Sequence, residues 1–248
     1  MAKQSARSAH KPLALKPASK PQIATNEVRE PRGTRRRRET RTRLLDAALR
    51  LMAVKGMEGV AINEITEAAD VGFGSFYNHF ESKEAIYLAL IDHVFGEFAD
   101  ALDRLVGGID DPAEVIAVSI RHTVLRARRE PVWGQFLVRE GFSERSLTRG
   151  LGQRLGRDIQ KGIAAKRFSL PDPEITLFAV GGTVIAAIAA DLELGVRKSG
   201  SRPDIPASKN LADRVATVAL QILGLTRAEA EKIARRPLRA IVPQTASD

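Results

Sequence analysis

The 248-residue chain contains no cysteine. That excludes a disulfide framework and a thiolate metal site, and it suits a reducing compartment. Histidine is scarce as well: the four at 10, 79, 93 and 122 have no spacing that would bring two onto one metal ion. No phosphate-binding glycine loop, nucleophile elbow or dinucleotide fingerprint occurs, so nothing points to an enzyme and no cofactor is implied. Aromatic residues make up 5%, and no segment alternates apolar and polar with the period of two that a strand requires. The basic start is not followed by the apolar core of a signal peptide. The longest apolar run, Ile175 to Ala190, ends at Asp191 and is short for a membrane-spanning helix. A soluble, cytoplasmic, all-α protein is expected.

Acidic charge is missing from one region only. Of the 39 basic and 30 acidic residues, eleven and two fall in residues 1–38, which leaves 28 of each for the rest. The whole net charge of +9 therefore sits at the N-terminal end. Residues 1–38 are rich in Pro, Ser and Lys and lack aromatics, so they bury too little apolar surface to offset ordering and read as a disordered basic arm. Mobile cations near DNA gain from counterion release, which makes Arg35 to Arg38 candidates for backbone contact. A solvated tail without a partner would have the same composition.

From Glu39 onward the apolar spacing is helical. Leu44, Leu45, Ala48, Leu51 and Met52 form one face of a first helix, closed by Gly56. Ile62, Ile65, Ala68 and Ala69 give the buried face of a second. Asp70-Val71-Gly72 breaks the pattern, with Gly72 as the residue suited to a tight turn. A third helix follows, about Phe73 to Phe80. Ser82 is placed to cap a long helix over residues 83–106, and Asp111-Pro112 and Asp172-Pro173 are start signals for two more. Further helices are expected around Trp133 to Gly141, over 146–167, and at 208–224. Thr226 with Glu229 makes a capping box for a last short one.

Two short helices joined by such a turn are the geometry that lays a recognition helix in the DNA major groove. Gly56, Ile65, Ala68, Ala69, Val71, Gly74, Ser75, Phe76, Tyr77, His79, Phe80, Ser82 and Lys83 together resemble the TetR family of bacterial transcriptional regulators. The local resemblance runs from about Glu39 to Val94. It departs at Ala61, where the family usually has a Thr or Ser cap, although Glu64 keeps the acidic place of the capping box. It departs again at Gly72, where a Ser usually caps the recognition helix.

Beyond the basic arm (1–38), the resemblance implies a helix-turn-helix head (39–82) and a linking helix (83–106) belonging to a helical ligand-binding and dimerisation body (83–236), and residues 237–248 are expected to be a disordered tail. Tyr77, His79 and Lys83 would donate to phosphates, while Ser75 and Asn78 are better placed for base edges and Phe73 for a thymine methyl. Thr42 and Arg43 would reach the backbone from the first helix. Phe76 and Phe80, four apart, pack inward. Helices at about 173–195 and 208–224 would pair across a two-fold axis in a homodimer, since the small-residue run Ala179 to Ala190 is apolar nearly all round.

Phe95, Phe98, Trp133, Phe136, Phe142 and Phe178 are candidates to line a ligand pocket, with His122 and Arg126 as its polar anchor. Taken singly, each aromatic is also the type of residue that fills a core. The function expected is a repressor released from a near-palindromic operator by a small molecule. The alternative is a ligand-independent architectural DNA-binding protein.

Overall fold

The computed structural model describes residues 31–196 and 210–240, and no strand occurs among them. The head consists of α1 (Arg32–Lys55), α2 (Ile62–Ala68) and α3 (Phe73–Tyr77). The connection to the body is α4 (Lys83–Ile91), a π-helical turn at Asp92–Gly96 and α5 (Glu97–Val106). The body adds α6 (Pro112–Arg129), α7 (Pro131–Glu140), α8 (Glu144–Thr148), α9 (Leu151–Ala164), α10 (Pro173–Val196), α11 (Leu211–Ile222) and α12 (Arg227–Ala234). One apolar core runs from Leu44 in the head to Ala234 in the body.

Helix starts follow the capping chemistry of the sequence. Ser82 Oγ accepts from the Ala85 amide at 3.2 Å, and Asp111 Oδ1 from Ala113 at 3.0 Å. Asp172 Oδ1 accepts from the Glu174 and Ile175 amides, each at 3.0 Å, and Thr226 Oγ1 from Glu229 at 3.4 Å. At α2 the cap is half made: Ala61 offers no side-chain acceptor, but its amide donates to Glu64 Oε2 at 2.9 Å. Gly56 closes α1 at φ 73°, its amide bonded to the Met52 carbonyl.

Several expectations shift. Residues 32–38 are helical, so α1 begins inside the segment read as an arm; arginine is a good helix former and Arg35 pairs with Glu39 one turn on at 2.8 Å. The rest of the arm, residues 1–30, and the far end of the tail, 241–248, lie outside the described residues. In the head turn the left-handed residue is Asp70 (φ 52°), whereas Gly72 is extended at φ −64° and needs no glycine. Thr66 rather than Ala68 joins Ile65 in the buried face of α2. The recognition helix ends at Tyr77, three residues early.

Residues 83–106 run as one rod, but the π turn interrupts its α-helical register. The expected 146–167 helix is broken at Gly150 (φ 74°), which separates α8 from α9. α11 begins at Leu211 after Asn210, and the 208–209 start falls outside the described residues.

In the body, α6 is central and packs against α7, α9, α10, α11 and α12. α10 presents Thr176, Val180, Val184 and Ile188, at four-residue spacing, to this core. Its other side, with Ile175, Phe178, Ala179, Ala186 and Ala190, remains exposed in the single chain. By length and composition alone α10 is long and apolar enough to cross a bilayer, since the helix outruns the apolar stretch at both ends.

Candidate nucleic-acid interface and body cavity

The turn before α3 sets the outward side of the head. Phe76 and Phe80 are 0% and 5% exposed and pack against each other at 5.8 Å between ring centroids, as their spacing of four predicts. Phe73 and Tyr77 flank the buried Phe76 on the outward side, 54% and 52% exposed, with their rings edge to face at 5.7 Å. Two exposed aromatics side by side on a short helix cost water contact without stabilising the monomer core, which marks a contact surface. Ser75 is partly exposed on the same helix and Asn78 is exposed at its end. Thr42 and Arg43 are exposed on α1, and the Arg43 guanidinium donates to the Asp70 carbonyl at 3.3 Å. Lys83 opens α4 with its ammonium 3.9 Å from Glu58.

Two arginines stand beside this face: Arg37, from the run Arg35 to Arg38 already expected at the DNA backbone, and Arg41, which sequence reasoning did not single out. Arg37 donates to the Asn78 carbonyl at 3.2 Å, and the Arg41 guanidinium lies 5.1 Å from the centre of the Phe80 ring. Partial burial lowers the pKa of His79 below its ordinary 6.5, and the charges of Arg37 and Arg41 lower it further. His79 is therefore neutral near pH 7 and offers a ring N–H without adding charge. The signal for the two arginines was in the helical period: Arg37 and Arg41 extend the stripe Leu44, Leu45, Ala48 toward the N-terminus.

The body holds a cavity of about 110 Å³. Its walls are mainly apolar, including Leu102, Ile116, Ile120, Leu137, Leu177 and Val184. Asp103, Arg154 and Asp158 border it and belong to one ion network. Arg154 Nε lies 2.8 Å from Asp103, Arg157 reaches Asp103 at 2.7 Å, and Arg157 Nε lies 2.9 Å from Asp158. Burial works against ionisation of Asp103, but hydrogen bonds from Arg157 and Arg154 outweigh it and hold the carboxyl below its ordinary 3.8. Ser119 and Thr123 add hydroxyls to the lining.

Of the residues expected to form a ligand pocket, Phe142 borders this cavity and Phe95, Phe98, His122, Arg126, Trp133, Phe136 and Phe178 do not. Phe98, Trp133 and Phe136 are buried in a sealed aromatic cluster with Phe95, where Phe95 stacks on Phe136 at 5.5 Å and Phe98 meets Trp133 at 5.3 Å. Arg126 covers that cluster, 4.8 Å from the Phe98 ring and 4.7 Å from Trp133, and pairs with Glu130. The buried His122 bonds through Nε2 to the Arg239 carbonyl at 2.9 Å. Phe178 is on the outer side of α10 against Phe142, which does line the cavity. Phe95, Phe98, Trp133 and Phe136 are core residues, and the open space lies one layer away, mainly among aliphatics. Among the described residues no cluster of His, Cys, Asp or Glu could hold a metal ion.

Head and body are joined through α7. Arg139 donates to the Val54 carbonyl at 2.9 Å and to Ala53 at 3.4 Å, satisfying the C-terminal end of α1. Glu140 accepts from the Tyr87 hydroxyl on α4; burial first, and then the Glu140 carboxylate, push that phenol well above its ordinary 10.0. Leu137, Gly141 and Phe142, from the same stretch of chain, line the cavity. At the π turn, the Trp133 indole donates to the Val94 carbonyl at 3.2 Å.

A helix-turn-helix head on an all-helical body with an internal cavity defines a DNA-binding regulator of the one-component type. Residues 44–90 match the family described as bacterial regulatory proteins, tetR family, and residues 111–236 match the tetracyclin repressor-like C-terminal domain. The chain belongs to the TetR family of transcriptional regulators. It is similar to RolR, solved in complex with the ligand resorcinol, at 35% identity, covering 84% of this chain and 100% of that one with a TM-score of 0.62. The repressor DhaR of Mycobacterium sp. (strain GP1) is 35% identical over 107 residues, 43% of this chain and 52% of DhaR. The repressor KstR of Mycolicibacterium smegmatis is 23% identical over 74% of this chain and 89% of KstR. The chain thus spans about half the length of DhaR, but the whole length of RolR.

Proposed function

We propose that the protein is a homodimeric repressor that leaves a near-palindromic operator when a small aromatic molecule bearing hydroxyl groups occupies the body cavity. The observation that carries this reading is the cavity itself: an apolar slot with a carboxylate–guanidinium network on one side. Its volume of about 110 Å³ is of the same order as the ~150 Å³ that accept a single benzene ring. A phenolic hydroxyl could donate to Asp103, held ionised by Arg154 and Arg157, while the ring fills the aliphatic walls. The likeness to RolR, bound to resorcinol and covered over its whole length, supports a ligand of this class.

Ligand-driven release requires different affinities for the two states of the protein. A molecule wedged against Leu137 and Phe142 presses on the stretch whose Arg139 and Glu140 hold α1 and α4. The uncovered side of α10, with α11 beside it, supports a dimer over a membrane span, since its small residues permit close helix packing and two heads then read two half-sites. A repressor that meets chromosomal DNA acts in the cytoplasm. An architectural binder without ligand is disfavoured, because phosphate binding alone gives no use for such a cavity.

The test has two arms. Selection from random DNA should return a palindromic consensus, and its absence would refute the operator reading. Resorcinol titrated into the dimer should bind calorimetrically and lower fluorescence anisotropy on that operator, with Asp103→Asn binding at least tenfold more weakly. Silence toward resorcinol and phenol at millimolar levels, with operator binding intact, would refute the ligand class alone.

A further inference from the structure

We propose that the first three turns of α1 form a rigid, positioned clamp for DNA phosphates, with Arg37 and Arg41 as its contact residues. This rests on the reading of the head as operator-binding and adds a second surface to α3. Between 32 and 43 the helix carries seven arginines and one acidic residue, Glu39, and none of its residues is buried. Twelve residues of helix rise about 18 Å, so this stretch projects beyond the head core rather than lying within it. Arg32/Arg36 and Arg37/Arg41 are like charges four apart, an arrangement that destabilises an isolated helix. Such a helix is useful where an opposite charge arrives to meet it, and a duplex backbone presents one at regular spacing.

The arginines are not equivalent. At about 100° per residue, Arg37 and Arg41 lie on the side of α1 that, further on, buries Leu44, Leu45 and Ala48. That side overhangs the end of the recognition helix. Arg37 bonds to the Asn78 carbonyl, Arg41 covers the Phe80 ring, and both charges are felt at His79. Both remain exposed, so donors are left over to reach outward. A phosphate approaching Tyr77 or His79 would come within reach of this pair. Arg35, engaged with Glu39, lies on the opposite side.

The full-length dimer carrying Arg37→Gln and Arg41→Gln should be compared with Arg35→Gln and the parent on the selected operator, by fluorescence anisotropy over a salt series, with melting temperatures recorded. Two phosphate contacts per head predict that the double variant flattens the plot of log affinity against log salt by about 3.6, at roughly 0.9 per contact over two heads. The preference for operator over scrambled DNA should change less than about threefold, since phosphate contacts carry no sequence information. Arg35→Gln should leave the slope as it is. An unchanged slope in the double variant, whether or not its melting temperature falls, would overturn the proposal and leave Arg37 as a helix cap. Equal flattening by Arg35→Gln would overturn it too, because diffuse charge rather than a positioned face would then be responsible. Should the parent prefer no sequence, the operator reading fails, while the slope still reports whether these arginines meet phosphates.

Discussion

Substituting Ala186→Arg tests the dimer directly, because Ala186 is exposed in the single chain while its neighbours Val184 and Ile188 face the core at 8% and 2% exposure. Only 22% of the most apolar stretch of α10 is buried within one chain, which is too little for a helix of this composition unless a second surface covers it. A specific dimer of ordinary size covers about 800 Å² on each partner. In a two-fold interface one substitution places two guanidiniums in the contact. A buried charge without a partner costs about 3–5 kcal/mol, so the pair costs about 6–10 kcal/mol. At 1.4 kcal/mol per decade this raises the dimer dissociation constant by roughly four to seven orders of magnitude. Sedimentation equilibrium at micromolar protein should then find monomer, with far-UV circular dichroism still helical. Operator affinity should fall with it, since one head sees one half-site. Val180→Arg, at a position 0% exposed in the chain itself, should instead fail to fold. A soluble Ala186→Arg dimer whose dissociation constant moves less than tenfold would refute the reasoning and put the interface elsewhere.

Tyr77→Phe removes only an exposed hydroxyl; hydrogen bonds to charged groups contribute about 1.5–3 kcal/mol, so operator affinity should drop at least tenfold by anisotropy with the melting temperature unchanged. Gly162→Ala would place a methyl 2.0 Å from the Phe168 ring, so an overpacking cost of about 1–3 kcal/mol is expected in urea denaturation; no loss would mean that the ring moves aside freely. Burial holds the His122 pKa below 6.5, so as pH falls through 6.5 the unfolded chain takes up the proton before the folded one, and the stability this group contributes above 6.5 is lost. His122→Gln should therefore narrow the difference in melting temperature between neutral and mildly acidic buffer, and an undiminished difference would assign the acid sensitivity to other groups.

The fold was legible where local chemistry decides it. Ser82, Asp111, Asp172 and Thr226 each accept the amide hydrogen bond that their positions announce, and Gly56 takes the positive φ that ends α1. What was hidden depends on partners far along the chain. The π turn at 92–96 leaves the Val94 carbonyl to a donor, the Trp133 indole, that is 39 residues away. The arginine run was misplaced because composition alone reads like a disordered tail, whereas helix propensity, the Arg35–Glu39 pair and continuity with a buried helix carry the backbone in helical form to Arg32. Gly72 drew attention as the glycine of the turn, yet Asp70 takes the left-handed conformation, one that aspartate tolerates.

The candidate site divides along the same line. The exposed side of α3 could be read from one short helix, since burying Phe76 leaves Phe73 and Tyr77 outward, whereas Arg37 and Arg41 reach it from α1. A cavity has no such local rule. It exists where side chains from several helices fail to meet, and the largest aromatics are the residues that fill space best, so a search by aromatics finds Phe95, Phe98, Trp133 and Phe136 packed together. Gly141, Gly152 and Gly181 are in the cavity lining, but a Cβ at Gly141 or Gly152 would meet a neighbour at 2.6 Å, so these glycines permit close approach of the surrounding chain and are no guide to open space. The cavity's charged groups came from helices that the sequence gives no reason to pair: Asp103 from α5, with Arg154 and Asp158 from α9, and Arg157 bridges the two aspartates. Arg154, Arg157, Asp158 and Lys161 share α9 at helical spacing, and taken alone they describe a solvated charged face. Only the reach of Arg154 and Arg157 to α5 makes Asp103 a half-buried acceptor held ionised next to an apolar slot.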